Sequence, residues 1–142
     1  MKNNKEKLVS VIMPVYNGEK FLNTSVESIL NQTYKNFEFI IINDGSSDNS
    51  KKIIQNYLID RRIKLYSLKK IGIVGCLNYA LKKSSGHYIA RMDADDISHP
   101  DRIKKQVSFL DYKTNYNLVG SRAKYIGVNN LFSKLVHLSS ND

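Results

Sequence analysis

Continuous apolar runs alternate with amphipathic segments along most of this chain of 142 residues. A run rich in β-branched residues, without polar alternation, is typical of a strand buried on both faces of a parallel sheet. Apolar residues that recur three and four positions apart predict helices instead. These patterns predict strands over residues 8–15, 37–43, 63–68, 86–93 and 117–127, the last with a bulge near Gly120. Helices are predicted over residues 19–32, after residue 46, over residues 73–84 and after Pro100.

Two of these helices have starts that the sequence marks. We expect Ser46 or Ser47 to be the N-cap of the second helix, because a hydroxyl oxygen accepts a hydrogen bond from the first free N–H groups. Pro100 suits the first turn of the last helix, where its missing N–H costs nothing. The residues of these two helices that are predicted to face the core are Ile53, Ile54, Tyr57, Leu58, Ile103, Val107 and Leu110.

The alternation of strands and helices predicts an α/β fold, with a mostly parallel sheet and helices on both of its faces. The chain, residues 1–142, is expected to form a single domain. We expect a core over about residues 8–127 and a tail over residues 128–142. Ligands of such sheets bind beyond the carboxyl ends of the strands. Three stretches should therefore converge on one crevice: PVYNGE after the first strand, NDGSSD after the second and DADD after the fourth.

The stretch DADD places three carboxylates within four positions, at Asp93, Asp95 and Asp96. Carboxylate oxygens are hard ligands that suit Mg²⁺ or Mn²⁺ better than Zn²⁺. In extended backbone Asp93 and Asp95 would point in the same direction, because side chains alternate along a strand. Ordinary caps or turn residues at a strand end are the alternative interpretation. An EF-hand calcium loop is excluded, because it needs a glycine at Ser98 and an acid at Lys104.

Other function classes lack their sequence signatures. Neither G-x-G-x-x-G nor G-x-x-x-x-G-K-[ST] occurs, which argues against a dinucleotide enzyme and a P-loop ATPase. No apolar run approaches the roughly 20 residues of a membrane span, and the first residues do not have the pattern of a signal peptide. Cys76 is the single cysteine and cannot form an internal disulfide, so we expect a cytoplasmic setting.

The chain is strongly basic, with a formal net charge of +9. Pairs of lysines occur at 51–52, 69–70, 82–83 and 104–105. Most lie on or beside predicted helices, where a solvated polar face is the simplest interpretation. A basic surface also favours anionic partners, and peripheral contact with an anionic membrane is the one we expect. No helix-turn-helix, zinc-finger or RNP signature is present, so we expect no nucleic-acid partner.

Two longer stretches carry a family resemblance. VSVIMPVYNGEKFLNTSVESILNQTYKNFEFIIINDGSSDNS and the later SGHYIARMDADDISHPDRIKKQV resemble the family 2 glycosyltransferases, which have the Rossmann-like GT-A fold. The resemblance covers about residues 8–127. It implies a metal-dependent transfer of a sugar from a nucleotide diphosphate donor, usually UDP-linked, with inversion at the anomeric carbon. The acceptor would be a sugar or a lipid-linked molecule in the synthesis of bacterial cell-surface polysaccharide or glycolipid, at the inner face of the membrane.

The resemblance also implies which residues contact the donor. Tyr16 would lie against the base, and Asp44 would accept a hydrogen bond from it. Asp95 and Asp93 match the family's D-x-D motif and would hold Mn²⁺ or Mg²⁺. The implied nucleotide-sugar-binding residues are Pro14, Val15, Tyr16, Glu19, Asp44, Asp93, Ala94 and Asp95. LKKIGIVGCLNYAL resembles the family stretch near the diphosphate, but it has lysines at 69–70 and lacks the arginine of some members, so the residue that faces the phosphates stays open.

Inverting transfer needs a general base that removes the proton of the acceptor hydroxyl. The family's base lies in a later segment, and none of Asp96, Asp101 and Asp111 matches it. His99 is expected to start a helix rather than to take part in catalysis. We therefore expect a truncated domain, the N-terminal donor-binding part of such an enzyme, without transferase activity by itself. A non-catalytic nucleotide-sugar-binding module is the alternative. A nucleotidyltransferase would need a glycine-rich loop after the first strand, which is absent.

Overall fold

The computed structural model describes residues 6–126 and 132–136. Its elements in chain order are β1 (Val9–Val15), α1 (Glu19–Leu30), β2 (Phe37–Asp44), α2 (Ser50–Asn56), β3 (Ile63–Leu68), α3 (Gly72–Lys83), β4 (Tyr88–Arg91), α4 (Arg102–Tyr112), β5 (Ala123–Ile126) and β6 (Phe132–Val136). Described residues up to Lys104 form one compact unit, and those from Lys105 onwards form a second. The predicted tail falls largely outside the described residues.

The first unit contains a four-stranded parallel sheet in the order β3-β2-β1-β4. In the register of the sheet, Val9 lies beside both Phe37 and Tyr88, and Phe39 lies beside Ile63. The amino ends of all four strands are therefore at one edge of the sheet and their carboxyl ends at the other. This arrangement confirms the prediction of a parallel α/β sheet.

The two central strands explain why the apolar runs are continuous. All eight residues of β2 are buried, so neither face of this strand meets water. Phe39 and Ile41 alternate with Ile40 and Ile42 along the strand, and all four side chains are fully buried. Helix α3 covers one face through a cluster of Ile12, Ile40, Ile42, Cys76 and Ala80.

The predicted N-cap of the second helix was wrong, and of its predicted buried face Ile54 is buried, Ile53 and Tyr57 are half-buried and Leu58 is exposed. The N-cap of α2 is Asn49, because Ser46 and Ser47 contact the loop after β1 instead. The helix ends at Asn56, and Leu58, which was predicted to be buried, is 43% exposed. Periodicity alone therefore placed the helix correctly but extended it by half a turn.

Other boundaries also shifted. Strand β4 covers only residues 88–91 of the predicted 86–93, because the chain turns after Met92. Helix α4 begins at Arg102, and Pro100 lies in the turn before it. Of the predicted stripe of this helix, Ile103 and Val107 are buried and Leu110 is half-buried.

The second unit contains most of α4 and an antiparallel pair formed by β5 and β6. The strand predicted over residues 117–127 is described only over β5, and its irregular register lies between Tyr125 and Ile126 rather than near Gly120. The rings of Phe109 and Tyr116 pack with their centroids 5.5 Å apart. Among the described residues, no helix has the length and apolar character that a membrane span requires.

Candidate functional site

The loops after β1 and β2 are joined by hydrogen bonds at the carboxyl edge of the sheet. Asn17 has a left-handed backbone with φ of 50°, which an asparagine tolerates better than most residues. Its side-chain oxygen accepts a hydrogen bond from the N–H of Ser47 at 2.9 Å, and its N–H donates to the hydroxyl of Ser46 at 3.0 Å. The N–H of Gly18 donates to the hydroxyl of Ser50 at 2.9 Å. Two of the three predicted stretches therefore converge.

Helices α1 and α2 cap each other across these loops. The carboxylate of Asp48 accepts hydrogen bonds from the N–H groups of Glu19 at 3.0 Å and Ser50 at 2.9 Å. The carboxylate of Glu19 accepts from the N–H of Asn49 at 2.8 Å. A small desolvation opposes ionisation of Asp48, but the hydrogen bonds from Ser50 and Glu19 outweigh it and lower its pKa. Glu19, which the resemblance placed at the edge of a nucleotide pocket, thus fixes the shape of the two loops.

The third predicted stretch meets the first. The backbone carbonyl of Asp93 accepts a hydrogen bond from the hydroxyl of Ser25 in α1 at 3.1 Å. A Cβ atom placed at Gly18 would lie 3.6 Å from the Cβ atom of Ala94, an ordinary van der Waals contact. The loops after β1, β2 and β4 therefore share one edge of the sheet, as their positions in a parallel sheet predicted.

Pro14 and Val15 are the last two residues of β1. The side chain of Val15 is buried and that of Pro14 is half-buried. Val15 therefore has only backbone atoms to offer a ligand at this edge. Tyr16 follows immediately, and its side chain is 48% exposed.

Lys70 contacts the ring of Tyr16. Its ammonium nitrogen lies 4.0 Å from the ring centroid and donates a hydrogen bond to the tyrosine hydroxyl at 2.9 Å. This is a cation–π contact supplemented by a hydrogen bond, and it holds the aromatic side chain in one position. One lysine of the 69–70 pair thus lies beside the predicted base-stacking residue.

Asp44 is buried at the carboxyl end of β2, and its carboxylate accepts hydrogen bonds from two N–H groups at the start of α3. One oxygen accepts from the N–H of Ile71 at 2.7 Å and the other from the N–H of Gly72 at 2.9 Å. The Cys76 thiol also donates a hydrogen bond to this carboxylate, so one of its four lone pairs is left to accept from a ligand. Burial raises the pKa of the Cys76 thiol to about 11, and the hydrogen bond to Asp44 and its negative charge add to the shift. The thiol stays protonated at neutral pH and is not an activated nucleophile.

The acidic stretch forms a tight turn instead of continuing the strand. The N–H of Asp96 donates to the carbonyl of Asp93 at 3.3 Å, and Asp95 lies exposed within the turn. The backbone from Asp93 to Asp95 is therefore not extended, so the alternation that would point both side chains in the same direction does not apply here. The carboxylate of Asp93 pairs with the exposed guanidinium of Arg91 at 2.8 Å. Partial desolvation raises the pKa of Asp96, and repulsion from Asp93 and Asp95 raises it further.

The carboxylate oxygens of this turn suit a metal ion that is also bound by a ligand. Within the described residues, no group of three His, Cys, Asp or Glu side chains is placed to hold a metal ion. Asp93 and Asp95 supply hard oxygen atoms from two carboxylates. Mg²⁺ commonly binds to one or two carboxylates together with the phosphates of a substrate and water, and Mn²⁺ favours the same ligand types. The residues therefore fit a Mg²⁺ or Mn²⁺ ion that a phosphate ligand completes, and they do not fit a closed metal site.

Gln32 supports the segment after the acidic turn, and the sequence interpretation missed it. Its amide is fully buried and donates to the carbonyl of His99 at 2.8 Å and to the hydroxyl of Ser98 at 3.2 Å. Its oxygen accepts from the N–H of Ile103 in the first turn of α4 at 3.1 Å. A signal was present in the sequence, because Gln32 follows Ile29 by three positions on the apolar stripe of the helix predicted over residues 19–32.

Of the remaining candidates, His99 and Asp101 have structural partners. The ring nitrogen Nδ1 of His99 accepts from the N–H of Asp101 at 3.2 Å, as expected for a residue near a helix start. The carboxylate of Asp101 accepts from the hydroxyl of Thr33 at 2.8 Å. Asp96 lies in the acidic turn of the first unit, whereas Asp111 belongs to the second unit.

Comparison with known proteins identifies the family of this chain. A family model described as glycosyl transferase family 2 matches residues 10–140. An uncharacterized glycosyltransferase of Haemophilus influenzae is 44% identical over 121 residues, which are 84% of this chain and 38% of that protein. The O-antigen biosynthesis glycosyltransferase WbnJ of Escherichia coli is 40% identical over 129 residues, which are 89% of this chain and 50% of WbnJ.

The solved structures include TarS of S. aureus, residues 1–349, in complex with UDP. It matches with a TM-score of 0.69 and 29% identity over 73% of this chain and 32% of that chain. The same protein has also been solved with UDP-GlcNAc. This chain thus spans half or less of the length of these three proteins. The predicted GT-A fold is confirmed, and the chain belongs to glycosyl transferase family 2.

Proposed function

We propose that this chain binds a nucleoside diphosphate sugar, with UDP as the nucleotide, and forms the donor site of an inverting glycosyltransferase in bacterial cell-surface polysaccharide or glycolipid synthesis. The observation that carries the proposal is the meeting of three loops at one sheet edge, through Asn17 and Ser47 at 2.9 Å and through Gly18 and Ala94. The UDP complexes of TarS and the name of WbnJ support the nucleotide and the kind of product.

The base would lie between Tyr16 and Asp44. The half-exposed ring of Tyr16 offers a flat apolar face on which a base can stack. Uracil presents an N–H donor between two carbonyl oxygens, and the carboxylate of Asp44 has one unused lone pair with which to accept it. Both groups are already held in place by other parts of the chain, so little ordering cost remains for the ligand.

The diphosphate would lie toward the acidic turn, where Asp95 and Asp93 would hold Mn²⁺ or Mg²⁺. An ion bound there supplies Lewis-acid compensation for the negative charge of the leaving nucleoside diphosphate. Arg91 at present neutralises part of the charge of Asp93, so its guanidinium and the ion compete for the same carboxylate. The exposed ammonium of Lys70, beside Tyr16, adds positive potential on the path from base to phosphate.

In the proposed reaction a hydroxyl oxygen of the acceptor forms a bond to the anomeric carbon from the face opposite the diphosphate. The bond from that carbon to the phosphate oxygen breaks, and its electron pair leaves with the diphosphate. The hydroxyl proton passes to a general base, which typically contributes about 10²–10⁴-fold to the rate. We assign that role to none of the acids of this chain. The proposed part of this chain is to bind and orient the donor.

A binding titration with matched variants tests the proposal. UDP should bind more tightly with Mn²⁺ than without it, and Asp95→Asn should abolish this difference while leaving metal-free UDP binding unchanged. Asp101→Asn is the control, because it makes the same chemical change a few residues away and keeps an oxygen that can accept from Thr33. Calorimetry that detects no UDP binding, or binding that ignores Mn²⁺ in the unaltered chain, would contradict the proposal.

A screen of donors separates the two functional alternatives. UDP-sugars, GDP-sugars and free UDP should be compared by calorimetry, followed by an assay for sugar transfer to oligosaccharide and lipid-linked acceptors. We expect the UDP compounds to bind most tightly. Donor binding without transfer, in the longest natural form of the protein, would indicate a nucleotide-sugar-binding module instead of an enzyme.

A further inference from the structure

Arg102, the first residue of α4, has a guanidinium with an unused side. Its Nη1 atom donates to the carbonyl of Arg91 at 3.2 Å. Its Nε and Nη2 atoms are shielded from solvent, and neither makes a hydrogen bond to any residue that the structure describes. Buried polar atoms without partners are rare in proteins, because each loses its bonds to water and gains nothing in return.

The two unpartnered atoms are not an arbitrary pair. Nε and Nη2 lie on one edge of the planar guanidinium and direct their N–H bonds in parallel. This edge is the fork that binds both oxygens of a carboxylate or phosphate group at once. The Nε and Nη2 atoms of Arg102 are therefore placed to bind one anion through two parallel hydrogen bonds.

The anion that suits this edge comes from the chain itself. Because both nitrogen atoms are closed to solvent, a free ligand cannot reach them without rearrangement of the protein. Burial lowers the pKa of Arg102, and the negative charge of Asp96 opposes this shift and favours the charged guanidinium. Asp96 forms no ion pair within the described part of the chain, whereas its neighbour Asp93 is paired with Arg91. A cation without an anion and an anion without a cation thus lie next to each other.

We propose that Asp96 and Arg102 close into a bidentate ion pair beneath the acidic turn, and that this pair orients Asp95 toward a divalent cation. Adjacent side chains in a turn face in different directions, so drawing Asp96 inward to Arg102 directs Asp95 outward. Arg102 is then a positioning residue, which acts on the ion through Asp96 and the turn. The inference rests on the proposed cation at Asp93 and Asp95.

Energetic coupling follows from this arrangement. If a bound cation favours the conformation in which the pair is closed, the closed pair must favour cation binding by the same factor. Groups that orient metal ligands typically change metal affinity by about 10–100-fold when they are altered. Nucleotide binding at Tyr16 and Asp44 uses other loops, so metal-free UDP affinity should not depend on the pair.

The decisive variant is Arg102→Lys, which keeps the positive charge but removes the planar fork. We expect it to weaken Mn²⁺ binding, measured in the presence of UDP, by about 10–100-fold and to leave metal-free UDP affinity unchanged. Asp96→Asn should have an effect of the same size, and the double variant should be no weaker than either single variant. The control is Arg61→Lys, the same substitution at an exposed arginine before β3.

A spectroscopic measurement on the unaltered protein gives a second readout. The Nε–H signal of Arg102 in ¹⁵N-labelled protein should shift, and its exchange with water should slow, when Mg²⁺ and UDP are added. Asp96→Asn should remove both changes. This result does not depend on whether Arg102→Lys folds, and a group that only supports the fold would not give it.

Two kinds of failure can be told apart. Equal Mn²⁺ affinity of Arg102→Lys and the unaltered chain, additive effects in the double variant, or an unmoved Nε–H signal would overturn the ion pair while leaving the donor site standing. Failure of the unaltered chain to bind Mn²⁺ with UDP would overturn the proposed metal site, and the positioning role with it.

Discussion

At the amino ends of the parallel strands, the carboxylate of Glu38 is surrounded by donors, whereas at the carboxyl ends three carboxylates crowd into one turn. Glu38 is buried within β2. One of its oxygens accepts from the hydroxyl of Ser10 at 2.6 Å and from the N–H of Ser85 at 2.7 Å. The other accepts from the ammonium of Lys64 at 2.6 Å. Desolvation opposes ionisation of Glu38, but these hydrogen bonds outweigh it and lower its pKa to about 2.

The acidic turn lacks such compensation. Asp93 pairs with the exposed Arg91, while Asp95 and Asp96 form no ion pair among the described residues. Repulsion within the turn contributes to the raised pKa of Asp96. The pKa values of Glu38 and Asp96 thus shift in opposite directions. Charge that the chain satisfies internally stabilises the fold, and charge that it leaves uncompensated is available to a ligand.

The largest effect should come from removing the compensated charge. Glu38→Gln leaves Lys64 without its anion and weakens the contacts with Ser10 and Ser85. Breaking a buried pair costs about 3–5 kcal/mol, and because the side chain of Lys64 is 45% exposed we expect about 2–4 kcal/mol here. Urea unfolding measures the loss. Unchanged free energy of unfolding would show that the amino edge contributes nothing to stability.

Protonation of Glu38 should also be the main cause of the loss of unfolding free energy at low pH. A pKa lowered from 4.5 to about 2 means that the folded state binds the proton less well than the unfolded chain. The stability is therefore fully present above about pH 4.5 and is lost as the pH falls toward 2. The difference between the two pKa values corresponds to about 3 kcal/mol as an upper limit. Unfolding titrations from pH 6 to pH 2 should show this loss, and Glu38→Gln should reduce it.

The carboxylate of Asp44 supports the start of α3 and is also proposed to bind UDP, so a variant at this position should affect both stability and binding. Asp44→Ala leaves the N–H groups of Ile71 and Gly72 without acceptors, which should cost about 1–3 kcal/mol of unfolding free energy. Tyr16→Ala is the matched comparison. It should weaken UDP binding by about 1–3 kcal/mol through lost stacking and leave stability unchanged. Equal losses of stability in both variants would remove this distinction.

The smallest effect should come from the uncompensated charge. Asp95→Asn removes one of three repelling carboxylates from an exposed position, so we expect a change in unfolding free energy within about 0.5 kcal/mol, with a sign that favours the variant. Urea unfolding of Asp95→Asn beside Glu38→Gln measures the contrast directly. A loss of several kcal/mol in Asp95→Asn would mean that the acidic turn stabilises the fold.

Local patterns were sufficient for the sheet and for the meeting of the loops. The apolar runs of β1, β2 and β3 were placed to within a residue, because strands buried on both faces leave no polar alternation to confuse the interpretation. The convergence of the three loops followed from strand direction alone. Helix boundaries followed less well, since Ser46 and Ser47 are used by the loop after β1 rather than by their own helix.

The supporting residues depend on distant partners and were missed for that reason. This holds for Gln32, whose partners after the acidic turn lie 66 to 71 positions away. Arg102 is closer to its partner Arg91, but a hydrogen bond across a turn leaves no periodic pattern in the sequence. Glu38 was a clear signal that the sequence interpretation did not use. A single acid in a continuous apolar strand must pair with a cation or accept several hydrogen bonds. Lys64, at the second position of β3, lies beside Ile40 in the register, two residues from the level of Glu38.

The contacts of Gln32 also determine when the acidic edge can form during folding. Its amide bonds to groups that follow it by 66 and 71 positions, whereas the loops after β1 and β2 are joined by residues about 30 positions apart. Closing a longer segment costs more chain entropy and delays the contact. On the ribosome, which releases the amino end first, the loops around Asn17 can be joined early in synthesis. The contact of Gln32 with Ile103, behind the turn of Asp93 to Asp96, forms only after Ile103 has emerged, so this support of the acidic edge comes after the first two loops can be joined.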